Sequence, residues 1–193
     1  NGAIVYAGAG NDYVEVKDRL GGDASKKTVV HGQGGEDTIY GKGLFFGGDG
    51  NDHLWGQGVL RGERGDDRLE ARGGGNMLIG GLGDDMLFTK NTHNTMRGDQ
   101  GADVFRVHPG AGTHDASAMS VIVDFKQDVD KIGLGDKYHT GGGPLDIAHE
   151  YAALTFHQWG NDVVIMSHDE FLVKLLDQNA LDFSFSDFVG FFY

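Results

Sequence analysis

One short pattern recurs in the first half of this chain and limits its fold more than any other feature. Residues Gly47 to Asp52 read G-G-D-G-N-D, and Leu54 stands two places after the aspartate. Five other stretches align with it on their aspartates: Ala7 to Asp12 (A-G-A-G-N-D), Gly32 to Asp37 (G-Q-G-G-E-D), Gly62 to Asp67 (G-E-R-G-D-D), Gly80 to Asp85 (G-G-L-G-D-D) and Gly98 to Asp103 (G-D-Q-G-A-D). In all six a glycine precedes the aspartate by two places and an apolar residue follows it by two: Val14, Ile39, Leu54, Leu69, Leu87 and Phe105. A single Gly-rich hexapeptide is only a turn, but six in register are a structural repeat.

The apolar positions between the motifs keep a nine-residue beat with some six-residue steps: Val5 to Val14, Val30 to Ile39, then Phe45, Leu54, Leu60, Leu69, Leu78, Leu87, Met96 and Phe105. This is neither a helical period nor a sustained strand alternation. It predicts a very short strand that recurs with a turn between copies. Two strands and two turns make one coil of a flattened solenoid whose apolar residues point inward. The coil is 15 residues long from Asp37 to Asp52 and from Asp52 to Asp67, then 18. The 25-residue step from Asp12 to Asp37 fits a coil with a charged, Gly-rich surface insertion around Leu20 to Lys27.

The half-coils that lack the motif place all the aspartates on one edge. Gly41-Lys42-Gly43 and Gly56-Gln57-Gly58 read as short turns without an acid. Ala71 to Ile79 and Thr89 to Arg97 are full length but carry Asn76 and Asn94 where the aspartate would stand. The motif copies end at Phe105. Pro109, Gly110 and Gly112 then mark a connecting loop, and Asp136 to Gly143 another. Val121 to Phe125, Lys131 to Leu134 and Phe171 to Leu176, which follows a His168-Asp169 turn, read as strands. Leu154 to Trp159 and Asp162 to Met166 flank Gly160-Asn161, a two-residue hairpin signal. Ser184 to Asp187 is a capping sequence for a short helical turn, within a tail carrying phenylalanine at 183, 185, 188, 191 and 192. The expected division is therefore a parallel roll over 1–106 and a C-terminal β cap over 107–193, packed as one domain, because an open solenoid end aggregates.

Composition agrees with a turn-rich chain that expects a cation. Glycine is 34 of 193 residues without the collagen period, and the formal charge is -13. Such acidity opposes nucleic-acid backbones and anionic membranes as partners. No apolar run reaches the length of a membrane span. There is no cysteine, so disulfides are not the staple. The first residue, Asn1, follows no signal pattern or initiator methionine and points to a piece of a longer protein.

Strands stacked at about 4.8 Å bring neighbouring aspartates to about 5 Å, where two charges at an effective dielectric of ~20 repel by roughly 3 kcal/mol. The row needs counter-ions. Calcium suits it, as a hard cation that takes several oxygens in irregular geometry; magnesium wants a tighter octahedron and zinc wants His or Cys. The candidate ligands are Asp12, Asp37, Asp52, Asp67, Asp85 and Asp103. Loop carbonyls come from the segments around Gly8, Gly10, Gly32, Gly35, Gly47, Gly48, Gly50, Gly62, Gly65, Gly80, Gly81, Gly83, Gly98 and Gly101. Five gaps between six loops give about five ions in a row, on one edge only.

The six motifs resemble the calcium-binding nonapeptide repeats of the RTX proteins, which Gram-negative bacteria export by type I secretion. Val121 to Phe125, Asp130 to Leu134, Leu154-Thr155-Phe156, Gly160 to Ile165 and Ser186 to Val189 are similar to segments that follow the repeats in that family. Two departures are Asp128, where the family often has glycine, and the bare second edge. The resemblance implies an all-β fold, a right-handed parallel β-roll capped by an antiparallel meander. It also implies a chain that is unstructured in the low-calcium cytosol, is exported C-terminus first through the type I machinery, and folds outside the cell.

Three functions fit this reading. The first is a calcium-dependent folding and secretion module at the C-terminus of a larger exoprotein. The second is a polysaccharide-binding module, like those of alginate epimerases and adhesins. Its basic candidates are Lys26, Lys27, Lys42, Arg61, Arg72, Lys90 and Arg97, several of them on or beside the bare edge. The third is a self-assembling fibre or surface-layer unit. An enzyme is not indicated. His149-Glu150 has Ala153 where a zincin needs histidine, no G-x-S-x-G or phosphate loop is present, and the nine histidines are dispersed. Trp55 and Trp159 are read as packing residues rather than sugar platforms.

Overall fold

The computed structural model describes residues 2–17, 27–108, 113–135, 154–167 and 169–191. The expected insertion at 20–27, apart from Lys27, lies outside them. So do Lys26, Pro109 with Gly110 and Gly112, the loop at 136–143, His149-Glu150 with Ala153, His168 and Phe192.

The described residues form one 16-stranded sheet that curls on itself, with no α-helix among them. One wall holds the strands that follow the aspartates: β2 (Tyr13–Glu15), the first halves of β4 (Thr38–Asp49) and β5 (His53–Arg64), then β6 (Arg68–Ala71), β8 (Met86–Thr89) and β10 (Val104–Val107). The other wall holds β1 (Ile4–Ala9), β3 (Thr28–Gly34), the second halves of β4 and β5, β7 (Met77–Leu82) and β9 (Thr95–Gln100). All of these pairings are parallel, as a coil that climbs in one direction requires.

Register turns the apolar beat into a core. Ile39, Leu54, Leu69, Leu87 and Phe105 are consecutive partners on one wall. Val30, Phe45, Leu60, Leu78 and Met96 are consecutive partners on the other. Every one of these ten side chains is fully buried, whereas Val5 and Val14 in the first coil are only partly so.

The turns expected at Gly41-Lys42-Gly43 and Gly56-Gln57-Gly58 are bends inside continuous strands. Gly41, Lys42 and Gly43 stay in register with Gly56, Gln57 and Gly58. Gly41 (φ 134) and Gly58 (φ 119) adopt a backbone closed to other residues, which turns the corner without breaking the ladder.

Parallel pairing continues beyond the last motif copy. β11 (Ser120–Ile122) joins β9, and β12 (Lys131–Gly135) joins β10, with Ile122 beneath Met96 and Ile132 beneath Phe105. The strand expected over Val121 to Phe125 therefore stops at Ile122. Beyond it, the Asp124 carboxylate turns back to accept the N–H groups of Gly98 and Asp99. β15 (Glu170–Leu175) and β16 (Phe188–Phe191) extend the two walls once more. The expected hairpin forms between β13 (Leu154–Trp159) and β14 (Asp162–Ser167), and β14 pairs antiparallel with β15. Ser184 caps a single 3₁₀ turn at Phe185–Asp187, its N–H donating to Asp187 Oδ2 at 2.8 Å. Phe105, Phe125, Phe183, Phe156 and Phe188 form a chain of ring contacts over this end of the roll. Phe185 points outward, 48% exposed.

Candidate metal centre

Each motif loop repeats one backbone shape. Numbered along the hexapeptide, position four has positive φ in all six copies, from Gly10 at 107 to Gly101 at 139. Position two is positive as well: Gly8, Gly48 and Gly81 adopt it freely, while Gln33 (φ 86), Glu63 (φ 84) and Asp99 (φ 69) are held there against their own preference. Position one is glycine in five copies, with Ala7 in the first, and for a different reason. A Cβ on Gly32 would lie 2.1 Å from Asp37 Oδ2 and 2.4 Å from the Gly47 carbonyl oxygen. At Gly47 and Gly80 the same point faces Asp52 Oδ2 with Gly62 O, and Asp85 Oδ2 with Gly98 O. The space that a side chain would fill is a small cradle of oxygens from two successive coils.

The position-six aspartates form a ladder. The N–H of Asp12 donates to Asp37 Oδ1 at 2.8 Å, Asp37 to Asp52 at 2.7 Å, Asp52 to Asp67 at 2.8 Å, Asp67 to Asp85 at 2.8 Å and Asp85 to Asp103 at 3.0 Å. Asp37, Asp52, Asp67, Asp85 and Asp103 are buried. Their second oxygens, and that of Asp12, are buried without any hydrogen-bond partner. An unpaired buried carboxylate oxygen is costly, and here six line up along one edge. Burial lifts the carboxyls of Asp52 and Asp103 to about 6, Asp67 to about 7 and Asp85 to about 8, and neighbouring carboxylates add to the rise. The row therefore calls for a positive charge on its free oxygens.

Calcium fits what is present. Among the described residues no three acidic or histidine side chains converge on one point, so a bound cation has one carboxylate per coil and must draw further oxygens from the backbone. The glycine cradles present such oxygens, and a hard, coordinatively flexible ion accepts them.

The opposite edge solves the same turn without charge. Asn76 Nδ2 donates to the carbonyls of Arg72 and Gly73 and to Asn94 Oδ1, at 2.8–3.1 Å. Asn94 Nδ2 donates to Thr89 Oγ1 and the Asn91 carbonyl. Asn76 Oδ1 accepts from Gly58 N–H, and Asn94 Oδ1 accepts from Asn76 N–H. The positive φ values fall at Gly73, Gly75 and His93 rather than at positions two and four. These loops are thus a different turn, closed by amide nitrogens, and not incomplete copies of the aspartate loop.

Three features were not read from the sequence. Asp130 is a seventh rung, accepting the N–H of Asp103 at 3.0 Å. Its signal is Ile132 two places on, hidden because Asp128 replaces the preceding glycine. An outer row at position five runs beside the main one: Asn11 accepts from Glu36 N–H, Asn51 from Asp66, Asp66 from Asp84 and Asp84 from Ala102. Finally, Tyr6, His31 and Phe46 stack on the outside of one wall, with centroids 5.0 and 4.6 Å apart. Of the two tryptophans, Trp55 lies under Arg72 with its guanidinium carbon 3.8 Å from the ring centre, and Trp159 meets Phe171 edge-on.

Residues 4–15, 29–43, 44–58 and 59–87 match the RTX calcium-binding nonapeptide repeat (4 copies). These repeats belong to the RTX calcium-binding family. No curated protein matches the chain by sequence. Among solved structures, the AlgE6R2 subunit of the Azotobacter vinelandii mannuronan C5-epimerase is similar at 20% identity and TM-score 0.34, over 98% of this chain and 92% of that one. The AlgE6R3 subunit of the same enzyme is similar at 20% identity and TM-score 0.36, over 94% and 80%. The extracellular lipase LipA of Serratia marcescens is similar at 14% identity and TM-score 0.38, and the match spans 98% of this chain but 40% of the lipase.

Proposed function

We propose that this chain is a calcium-dependent folding and secretion module, the C-terminal part of a larger protein exported by the type I machinery. Residues 1–106 form the RTX roll, and residues 107–193 form its cap and secretion-signal region. About five calcium ions lie along the single aspartate edge, one per interval. They are held by Asp12, Asp37, Asp52, Asp67, Asp85 and Asp103 together with carbonyls of the Gly-rich loops. Outside the cell, calcium binding and folding are then one event.

The observation that carries this reading is the line of six buried carboxylate oxygens without a partner. Each coil adds two large inward side chains, such as Leu54 and Leu60. Ordering a residue costs about 1–2 kcal/mol of backbone entropy, and glycine has the most freedom to lose. A Gly-rich acidic roll therefore stays open until cations fill its edge. Circular dichroism and small-angle scattering test this: coil and an expanded chain in chelator, β-structure and compaction in millimolar calcium, with a steep transition. A chain that keeps its full β signal and compactness in excess chelator refutes it.

A second reading, polysaccharide binding, draws support from the outer wall. Tyr6, His31, Phe46, Arg61, Ile79 and Arg97 occupy one register column there. A groove of about 480 Å³ beside it is bordered by Tyr6, His31, Phe46, Asp49, Glu63 and Arg64. Lys42 sits on the opposite, bare edge, and Arg97 is engaged by Asp99 at 2.6 Å. Titration with oligosaccharides in calcium should show binding that Tyr6→Ala and Arg61→Glu abolish and Lys42→Glu leaves intact. Absence of binding to acidic and neutral glycans alike removes this reading.

A further inference from the structure

The aspartate row ends unlike the way it runs. Asp130 is buried as the others are, but neither of its oxygens is left over: Oδ1 accepts from Asp103 N–H and Oδ2 from Lys126 N–H at 2.8 Å. Counted back from Asp130, Lys126 stands at position two of a seventh loop and Asp128 at position four. Asp128 has φ 63, the same sign as the position-four glycines it replaces.

Position two is where successive loops meet. A Cβ on Gly48 would lie 2.2 Å from the Gln33 carbonyl oxygen, and one on Gly81 the same distance from that of Glu63. The position-two carbonyl of each loop thus faces position two of the next. In the last interval that carbonyl belongs to Asp99, and the residue facing it is Lys126, whose ammonium donates to the Asp99 oxygen. Asp103 Oδ2 still has no hydrogen-bond partner, so the ammonium meets that carboxylate as a nearby charge and not as a hydrogen-bond donor: burial lifts the carboxyls of Asp103 and Asp130, and the charge of Lys126 works against that rise in both. No motif copy upstream carries a lysine or arginine at position two; the residues there are Gly8, Gln33, Gly48, Glu63, Gly81 and Asp99.

Granted the calcium reading of the row, on which this rests, we propose that the Lys126 ammonium is the resident cation of the last interval, so that the calcium row stops between Asp85 and Asp103. The chain supplies its own positive charge where the roll passes into the cap. The seventh rung can therefore form without an ion, giving the cap a metal-independent face onto which the calcium-dependent coils add.

Ion counting on the full chain tests this, by native mass spectrometry and calorimetry at saturating calcium. Wild type should bind about five ions, one for each interval between the six motif loops. Lys126→Met should bind one more than wild type, and Lys126→Arg the wild-type number. A folded Lys126→Met protein with an unchanged count overturns the proposal. Should that variant not fold, Asp130→Asn in the wild-type background decides. Its ion count stays at the wild-type value if Asp130 meets only Lys126 and backbone N–H groups, and a loss of one ion overturns the proposal. Wild type binding no calcium at all refutes the calcium reading itself, an outcome distinct from calcium binding that ignores Lys126.

Discussion

Protons should be able to replace calcium. In the fold without a cation, burial raises Asp52 and Asp103 to about 6, Asp67 to about 7 and Asp85 to about 8, from an ordinary 3.8. A raised carboxyl favours its neutral form in the fold. Below pH ~4 these groups are protonated in folded and unfolded chains alike, so the fold suffers no penalty there. Between pH ~4 and ~8 the unfolded chain ionises first and the fold loses ground; above ~8 the penalty is complete. One unit is worth about 1.4 kcal/mol, so Asp52 alone contributes about 3 kcal/mol and Asp67 about 4 kcal/mol. The four are coupled and do not add, yet their joint penalty is on the order of 10 kcal/mol, comparable to the whole stability of an ordinary domain. Metal-stripped protein in calcium-free buffer should therefore be unfolded at pH 8 and gain β-structure on acidification towards pH 5. Far-UV dichroism, near-UV signal from Trp55 and Trp159, and scattering would follow it. Neutralising the exposed acids Asp169 and Asp177 of the cap changes net charge away from the buried row, and should leave the pH midpoint nearly unmoved. A calcium-free chain that stays coil from pH 8 to pH 4 would falsify the reasoning, as would one already folded at pH 8.

Three further outcomes follow from the same geometry. Asp67→Ala removes a rung between two intervals and leaves the Asp52 N–H without its acceptor, a loss of about 1–3 kcal/mol; Asp12→Ala ends the row one rung early and strands no such N–H, so a calcium titration should show the larger midpoint shift for Asp67→Ala. In Gly62→Ala the new Cβ lies 2.0 Å from Asp67 Oδ2, and crowding of this kind costs about 1–3 kcal/mol; folding should need more calcium, and an unchanged midpoint would show that the cradle is not where the ion goes. Asn76→Asp replaces an amide that donates to three acceptors with oxygens facing those same acceptors; thermal melts in calcium should drop by several degrees, for a loss of about 3 kcal/mol, and no extra ion should appear by calorimetry.

The roll was legible because one period governs its core. The apolar residue two places after each aspartate, from Ile39 to Phe105, is fully buried, and so is the second series from Val30 to Met96. That the glycines serve two needs was not legible. The letter at Gly32 and at Gly35 is the same, but one leaves space for Asp37 Oδ2 and the other supports φ 117. The asparagine loops read as defective aspartate loops because the letters align. Only the folded chain brings Asn76 Nδ2 to the Arg72 and Gly73 carbonyls and shifts the positive φ values to Gly73 and Gly75. The seventh rung escaped because its signal is spread over positions that each depart from the motif, with Phe125 and Lys126 where glycines usually stand. The Tyr6, His31 and Phe46 column depends on register across coils of unequal length, which a linear pattern does not display.

The two edges of the roll divide a single problem. A tight loop stacked on an identical loop turns carbonyl oxygens into a narrow space, and something positive must meet them. On the asparagine edge a side-chain amide does so, and the chain carries that partial charge with it under all conditions. On the aspartate edge the side chain brings more negative charge, so the loop closes only when a cation or a proton is supplied from outside. The amide, in its own turn, makes one edge unconditional, and the carboxylate, in a different turn, makes the other conditional. The coils that start at Asp37 and Asp52 have their bare corner closed by strand bends at Gly41 and Gly56–Gly58, while the two that follow have Asn76 and Asn94. The conditional edge is continuous along all six motif loops, and every coil includes one of its rungs. The stability of each coil is therefore tied to that of its neighbours through the shared oxygens, which is the physical basis for expecting a steep transition rather than a gradual one.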